Sequence, residues 1–125
     1  MGFVYATTEV TNIRGDGGCY TLPFLVDTGA SDTVIAENEL DKIGVMREQK
    51  RAYELADGTS VLYDTGYALV KVNGIRVAAN VVFGAEGCEP LLGVIVLESA
   101  GLIVDPVHQI LKKVEAMPLK RASLG

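Results

Sequence analysis

Short apolar runs broken by Gly, Asn and Asp fill the first hundred residues, and no sustained helical period runs through them. Residues 3–13 read as a strand, Gly15-Asp16-Gly17-Gly18 as a hairpin turn and 19–27 as the return strand. Pro23 inside that strand predicts an edge position or a bend. A short strand over 33–36 leads into an acidic helix over 37–43, ending near Gly44. Asp57-Gly58, flanked by 51–56 and 60–72, is a strong hairpin signal, and Asn73-Gly74 is a second. After it, Ile75, Val77, Ala79, Val81 and Phe83 alternate with Arg76, Ala78, Asn80 and Val82, the mark of a half-buried strand. Leu91 to Leu97 is a continuous apolar run of the kind buried on both faces, and Gly101 is placed to cap a short helix over 95–100. The tail supports two readings. Val107, Ile110, Leu111 and Val114 have helical spacing, which on pattern alone slightly favours a helix. Leu102-Ile103-Val104 before Asp105-Pro106 also fits a strand and turn, with a return strand at 110–116. Residues 118–125 read as a frayed end.

The chain has 125 residues, enough for one domain with its own core. A hydrophobic fraction of 49% and a mean hydropathy of +0.28 are high for a small monomer, which suggests that part of the apolar surface belongs to an interface. The net charge is −5 and no Lys/Arg cluster exceeds a pair, which disfavours nucleic acid and anionic membranes as partners. Two distant cysteines, Cys19 and Cys88, do not make a disulfide framework and are expected as free thiols. The start shows no basic region or long apolar run and misses the myristoylation pattern at Ala6, and no stretch is long enough to span a membrane; the expectation is a cytoplasmic protein.

The candidate chemistry lies in Phe24-Leu25-Val26-Asp27-Thr28-Gly29-Ala30-Ser31. Three apolar residues end in an acid on a tight turn, which exposes a carboxylate at the end of a strand. Downstream come the Tyr53-to-Tyr67 hairpin, tipped by Asp57-Gly58-Thr59, and then Leu91-Leu92-Gly93. Asp64-Thr65-Gly66 repeats the tripeptide letter for letter, but it lies within the expected hairpin and bulky Tyr67 follows it, so it reads as a strand-and-bend feature. His108 is the only histidine, and nothing in its spacing pairs it with Cys19 or Cys88 as a hydrolase or completes a zinc site. Asp32 fits either a pocket-shaping acid or a solvated or helix-capping one.

An Asp-Thr-Gly-Ala turn, a β-hairpin and a hydrophobic-hydrophobic-Gly segment, in that order over roughly residues 3–116, resemble the retropepsin-like aspartic proteases, with the small single-domain prokaryotic members most similar. The resemblance implies an all-β, closed, barrel-like fold with one or two short helices and favours the strand hairpin in the tail. It implies an aspartic endopeptidase with Asp27 as the catalytic acid in an active-site turn with Thr28, Gly29 and Ala30. Ala56, Asp57, Gly58 and Thr59 would belong to a flap over the substrate, and Leu92 and Gly93 to a segment threaded behind the turn. With one working turn per chain, the second carboxylate would come from a second copy, so the resemblance implies a homodimer acting on a peptide or protein, with no metal or cofactor. Two acids about 3 Å apart repel too strongly for both to ionise near neutral pH and share a proton. Thr28 would bond across to the other copy and lock the turn, and Ala30 lacks the hydroxyl that would make the pair more acidic. Two other readings remain: a retropepsin-like domain that binds peptides or dimerises without cutting, and a β-barrel interaction protein in which Asp27 is structural.

Overall fold

The computed structural model describes residues 3–115. Their elements are β1 (Tyr5–Asn12), β2 (Cys19–Val26), β3 (Thr33–Ala36), α1 (Glu37–Lys42), β4 (Gln49–Glu54), β5 (Ser60–Val72), β6 (Ile75–Gly84), β7 (Leu91–Leu92), α2 (Val94–Ala100), β8 (Leu102–Asp105) and β9 (Ile110–Lys113). Alternation drives the strands inward on one face. In β1, Ala6, Thr8, Val10 and Asn12 are buried while Tyr5 and Thr7 face out.

Seven strands pair in the order β1-β2-β7-β3-β6-β5-β4, and β1 also pairs with β5, so the sheet closes into a ring. The long β5 makes this possible. Its first half, Ser60 to Thr65, pairs with β4, while residues 65–72 pair with β6 and 68–72 with β1. Phe24, Ile35, Leu40, Val70, Val81 and Leu92 fill the interior with no exposed surface. The expected all-β closed fold with two short helices is therefore the observed one. Pro23 sits opposite Thr7, beyond the Leu25–Val26 stretch where β2 meets β7, so its missing N–H faces an unpaired edge.

Helix α1 opens with Glu37 and Glu39 near its positive end, and Gly44, at φ +78°, carries the chain away just after its end. The short helix expected over 95–100 is present as α2: the apolar run from Leu91 pairs through Leu91–Leu92, turns at Gly93 and continues as that helix, closed by left-handed Gly101 at φ +70°. Of the two readings of the tail, the strand hairpin favoured by the resemblance is the observed one, and the helical spacing after Val107 does not give a helix. Asp105 Oδ1 accepts from the amides of Val107 and His108 (3.0 and 3.3 Å), turning the chain back so that β9 pairs with β8. The expected return strand stops at Lys113; residue 116 and the expected frayed end at 118–125 lie outside the described residues. Cys19 and Cys88 are both free.

Candidate active site

Asp27 is the first residue beyond β2, and its position is set by β7. Leu25 N donates to Pro90 O at 3.1 Å and Asp27 N to Leu92 O at 3.0 Å. The chain then turns on itself: Gly29 N donates to Asp27 Oδ1 (2.9 Å) and Ala30 N to Asp27 O (3.1 Å). Thr33 Oγ1, fully buried, accepts from Gly93 N at 3.0 Å. The first amides of α2 have no partner within the helix. Here the turn supplies them: Val94 N donates to Ala30 O (2.8 Å) and Ile95 N to Ser31 O (3.1 Å). A Cβ at Gly93 would lie 2.5 Å from Asp32 O and 2.6 Å from Ser31 O, so only glycine allows this crossing.

The turn forms one wall of a cleft of about 630 Å³. Asp27, Gly29 and Ala30 line it from below, and Tyr53, Glu54, Leu55 and Ala56 from the β4–β5 hairpin. Val34, Tyr63, Val82 and Cys88 add largely apolar walls. Buried Asp32 links the two sides: its Oδ2 accepts the Tyr53 hydroxyl at 2.6 Å, and Arg51 Nη1 lies 3.8 Å from the same oxygen. Burial first, then the bond to the Asp32 carboxylate, push the Tyr53 phenol up to about 12, so it stays a donor at physiological pH.

Of the residues singled out in the sequence, Asp27, Gly29, Ala30, Ser31, Asp32 and Ala56 meet at this cleft, Asp32 as a buried pocket-lining acid rather than a solvated one. Thr28 is exposed beside it, and Leu92 is fully buried beneath the turn. Asp57, Gly58 and Thr59 form the hairpin tip outside the lining. There Leu55 N donates to Thr59 O (2.7 Å), Gly58 N to Leu55 O (2.9 Å), and Gly58 takes φ +87°. Asp57 Oδ1 accepts from the hydroxyl and amide of Thr59 (2.7 and 3.0 Å), which hold its carboxyl below the ordinary range.

The repeated tripeptide has a different place. Asp64, Thr65 and Gly66 lie inside β5, and Asp64 is held by Lys50 and Arg47 at 2.7 Å each. Arg47 also bonds Asp41 and Glu37 and stacks 4.6 Å from the Phe83 ring centre. His108 is occupied by Asp105 at 2.8 Å. Sequence reasoning had Tyr53 only as the start of the hairpin and Cys88 only as a free thiol, and it did not place Val34 or Val82 at the cleft. The period-two pattern of β6 puts Val82 and Gly84 on one face, a usable signal; nothing in the letters pointed Tyr53 at Asp32. Among the described residues, no helix is long and apolar enough to cross a membrane.

The family model described as "gag-polyprotein putative aspartyl protease" matches residues 16–99, two thirds of the chain. No match was found among curated proteins. The solved structure of EIAV protease complexed with the inhibitor HBY-793 is similar at a TM-score of 0.58 and 17% identity, covering 80% of this chain and 89% of that one. The chain belongs to the gag-type aspartyl protease family, as a retropepsin-like aspartic protease.

Proposed function

We propose that the protein is an aspartic endopeptidase that hydrolyses peptide bonds as a homodimer, with Asp27 of each copy meeting at the twofold axis. The observation that carries this reading is the setting of Asp27. Its carboxylate stands on a buttressed turn at the wall of a cleft of about 630 Å³, and each chain supplies one such turn. The two acids hold one proton between them. The charged Asp27 takes a proton from the attacking water, and the neutral one donates to the peptide carbonyl as its oxygen gains charge. The acid that took the water's proton then gives it to the amide nitrogen, and the C–N bond breaks to release the amine. The other acid recovers its proton as the carbonyl re-forms, leaving the pair with one proton. Residues 53–67 act as the flap, and the substrate lies between flap and turn with strand-like backbone bonds.

Exposed apolar side chains near the chain ends support a second copy as partner. Phe3, Tyr5, Ile103, Val107 and Ile110 are each at least half exposed. Hairpin β8–β9 forms a sheet of its own, and the other edge of β8 pairs with no strand among the described residues. Both features suit an intermolecular sheet built from the chain ends.

Sedimentation across a concentration series, with cleavage of a synthetic peptide library measured on the same samples, tests the reading. Specific activity that rises with the dimer fraction is expected. A strict monomer that still cleaves overturns the shared pair of acids, and a dimer that binds peptides without cutting them establishes the non-catalytic alternative.

A further inference from the structure

Nothing in the hydrolytic scheme uses Asp32, although burying a carboxylate to 8% exposure is costly unless it is bonded. Its partners come from across the cleft. Tyr53 Oη donates to Oδ2 at 2.6 Å, and the Arg51 guanidinium stands 3.8 Å from that oxygen and 5.9 Å from the Tyr53 ring centre. Both partners belong to β4, the last strand in the sheet order, which pairs on one edge only, with β5. The backbone of the hairpin's first strand is thus tied to its own second strand. Among the described residues, the side-chain tie from β4 across the cleft runs to Asp32, just past the turn that carries Asp27. The ring is also seated against Tyr63, at 6.1 Å between centres and tilted 59°, so the hydroxyl is aimed rather than free to swing. A short, partly buried bond from a phenol to a carboxylate is charge-assisted and stronger than one between neutral groups.

We propose that Tyr53 is a positioning residue, whose bond to Asp32 latches the β4–β5 hairpin in the closed position over the active turn, and that peptides bind the latched form. A peptide that needs the closed hairpin binds with an affinity reduced by the fraction of molecules that are open. Loss of the latch therefore raises KM and leaves kcat nearly unchanged, because the geometry of the Asp27 turn is set from below by β7 and α2 rather than by Tyr53.

The test is Tyr53→Phe, which keeps the ring and removes the hydroxyl, beside Asp32→Asn, which keeps an acceptor but loses the charge. Hydrogen exchange and peptide kinetics are measured on both variants and the wild type. In Tyr53→Phe, exchange at the Leu55 and Gly58 amides is expected to speed up about tenfold, with KM up about tenfold and kcat within about twofold. The amides of Asp27 and Val94 should keep their wild-type protection. Asp32→Asn should fall between Tyr53→Phe and the wild type in both measurements. Unchanged exchange at Leu55 and Gly58 in Tyr53→Phe overturns the latch, and so does a fall in kcat at constant KM. Should Tyr53→Phe not fold, Asp32→Asn alone decides by the same criteria. The kinetic arm rests on the proteolytic reading and the exchange arm does not: a wild type that cleaves nothing removes that reading, while exchange still decides the latch.

Discussion

The backbone amide of Asp27 donates to the carbonyl of Leu92 at 3.0 Å, so the acid at the head of the candidate turn hangs from a two-residue strand that comes much later in the chain. Leu92 itself is fully buried. The carboxylate therefore borrows its rigidity from the core, and the turn above it borrows its partners from α2. Disturbing the crossing should move the acid without touching it.

Gly93→Ala is the direct disturbance. Its new methyl would meet the backbone of Ser31 and Asp32, which cannot rotate away as a side chain can. The expected loss is at the upper end of overpacking, about 3 kcal/mol, read as a lower unfolding midpoint together with reduced kcat. Gly58→Ala is the comparison. No atom lies within 4 Å of its added Cβ, and only the φ of +87° is strained, so about 1 kcal/mol is expected, with no change at the Asp27 amide. Equal stability in Gly93→Ala and wild type would show that the crossing yields more easily than the geometry indicates.

Asp27→Asn should abolish cleavage and leave the circular dichroism spectrum and the sedimentation profile unchanged, because Asn fills the same space but cannot act as base. Asp64→Asn should retain most activity, since its carboxylate is committed to Lys50 and Arg47. The opposite outcome in purified variants would assign the chemistry to the second tripeptide.

Arg47→Met should lower the unfolding midpoint modestly, by an amount that shrinks as salt is added, because Arg47 and its three acidic partners are partly exposed. The difference should also depend on pH. Lys50 and then Arg47 hold the Asp64 carboxyl below its ordinary 3.8. A lowered carboxyl contributes its full stabilisation above 3.8 and loses it as pH falls through the folded-state value. The gap between wild type and Arg47→Met should therefore be constant near neutrality and close in acid. A gap that widens on acidification would contradict the assignment.

The kcat/KM profile should be bell-shaped, because the paired acids must hold one proton: a second proton removes the base, and loss of the last removes the donor. Ala30 lines the cleft beside Asp27 and offers no hydroxyl to a carboxylate. Ala30→Ser adds a donor that favours the charged form, and should move the acidic limb to lower pH. An acidic limb that stays in place in a folded, dimeric variant would show that position 30 does not tune the pair. A wild-type profile with no acidic limb would count against the shared proton itself.

Much of the fold was legible because local rules and tertiary structure agreed. The alternation in 75–83, the Asp57-Gly58 and Asn73-Gly74 turns, and the acidic start of α1 each act over a few residues, and each produced the expected element. Elsewhere partners distant in sequence decided. The apolar run from Leu91 reads as ending in a short helix, but its break at Gly93 is set by carbonyls of the turn at 30–31, which accept the amides of Val94 and Ile95. In the tail two local readings competed, and the Asp105 turn with the β8–β9 pairing won over the helical spacing after Val107.

The sequence by itself pointed to Asp27 leaving an apolar strand on a glycine turn, from the small residues Thr-Gly-Ala that follow it at the end of Phe24-Leu25-Val26, where Asp64-Thr65-Gly66 is followed by bulky Tyr67 and stays within a strand. It also determined where the hairpin would bend. The resemblance already implied a Leu92-Gly93 segment behind the Asp27 turn; only the tertiary structure decided that Asp32 would be buried and that Tyr53 would reach it across the cleft. The physical reason is one of range. A turn is set by the dihedral preferences of adjacent residues, whereas a bond between β4 and the loop before β3 exists only once the closed ring of strands has brought the two together.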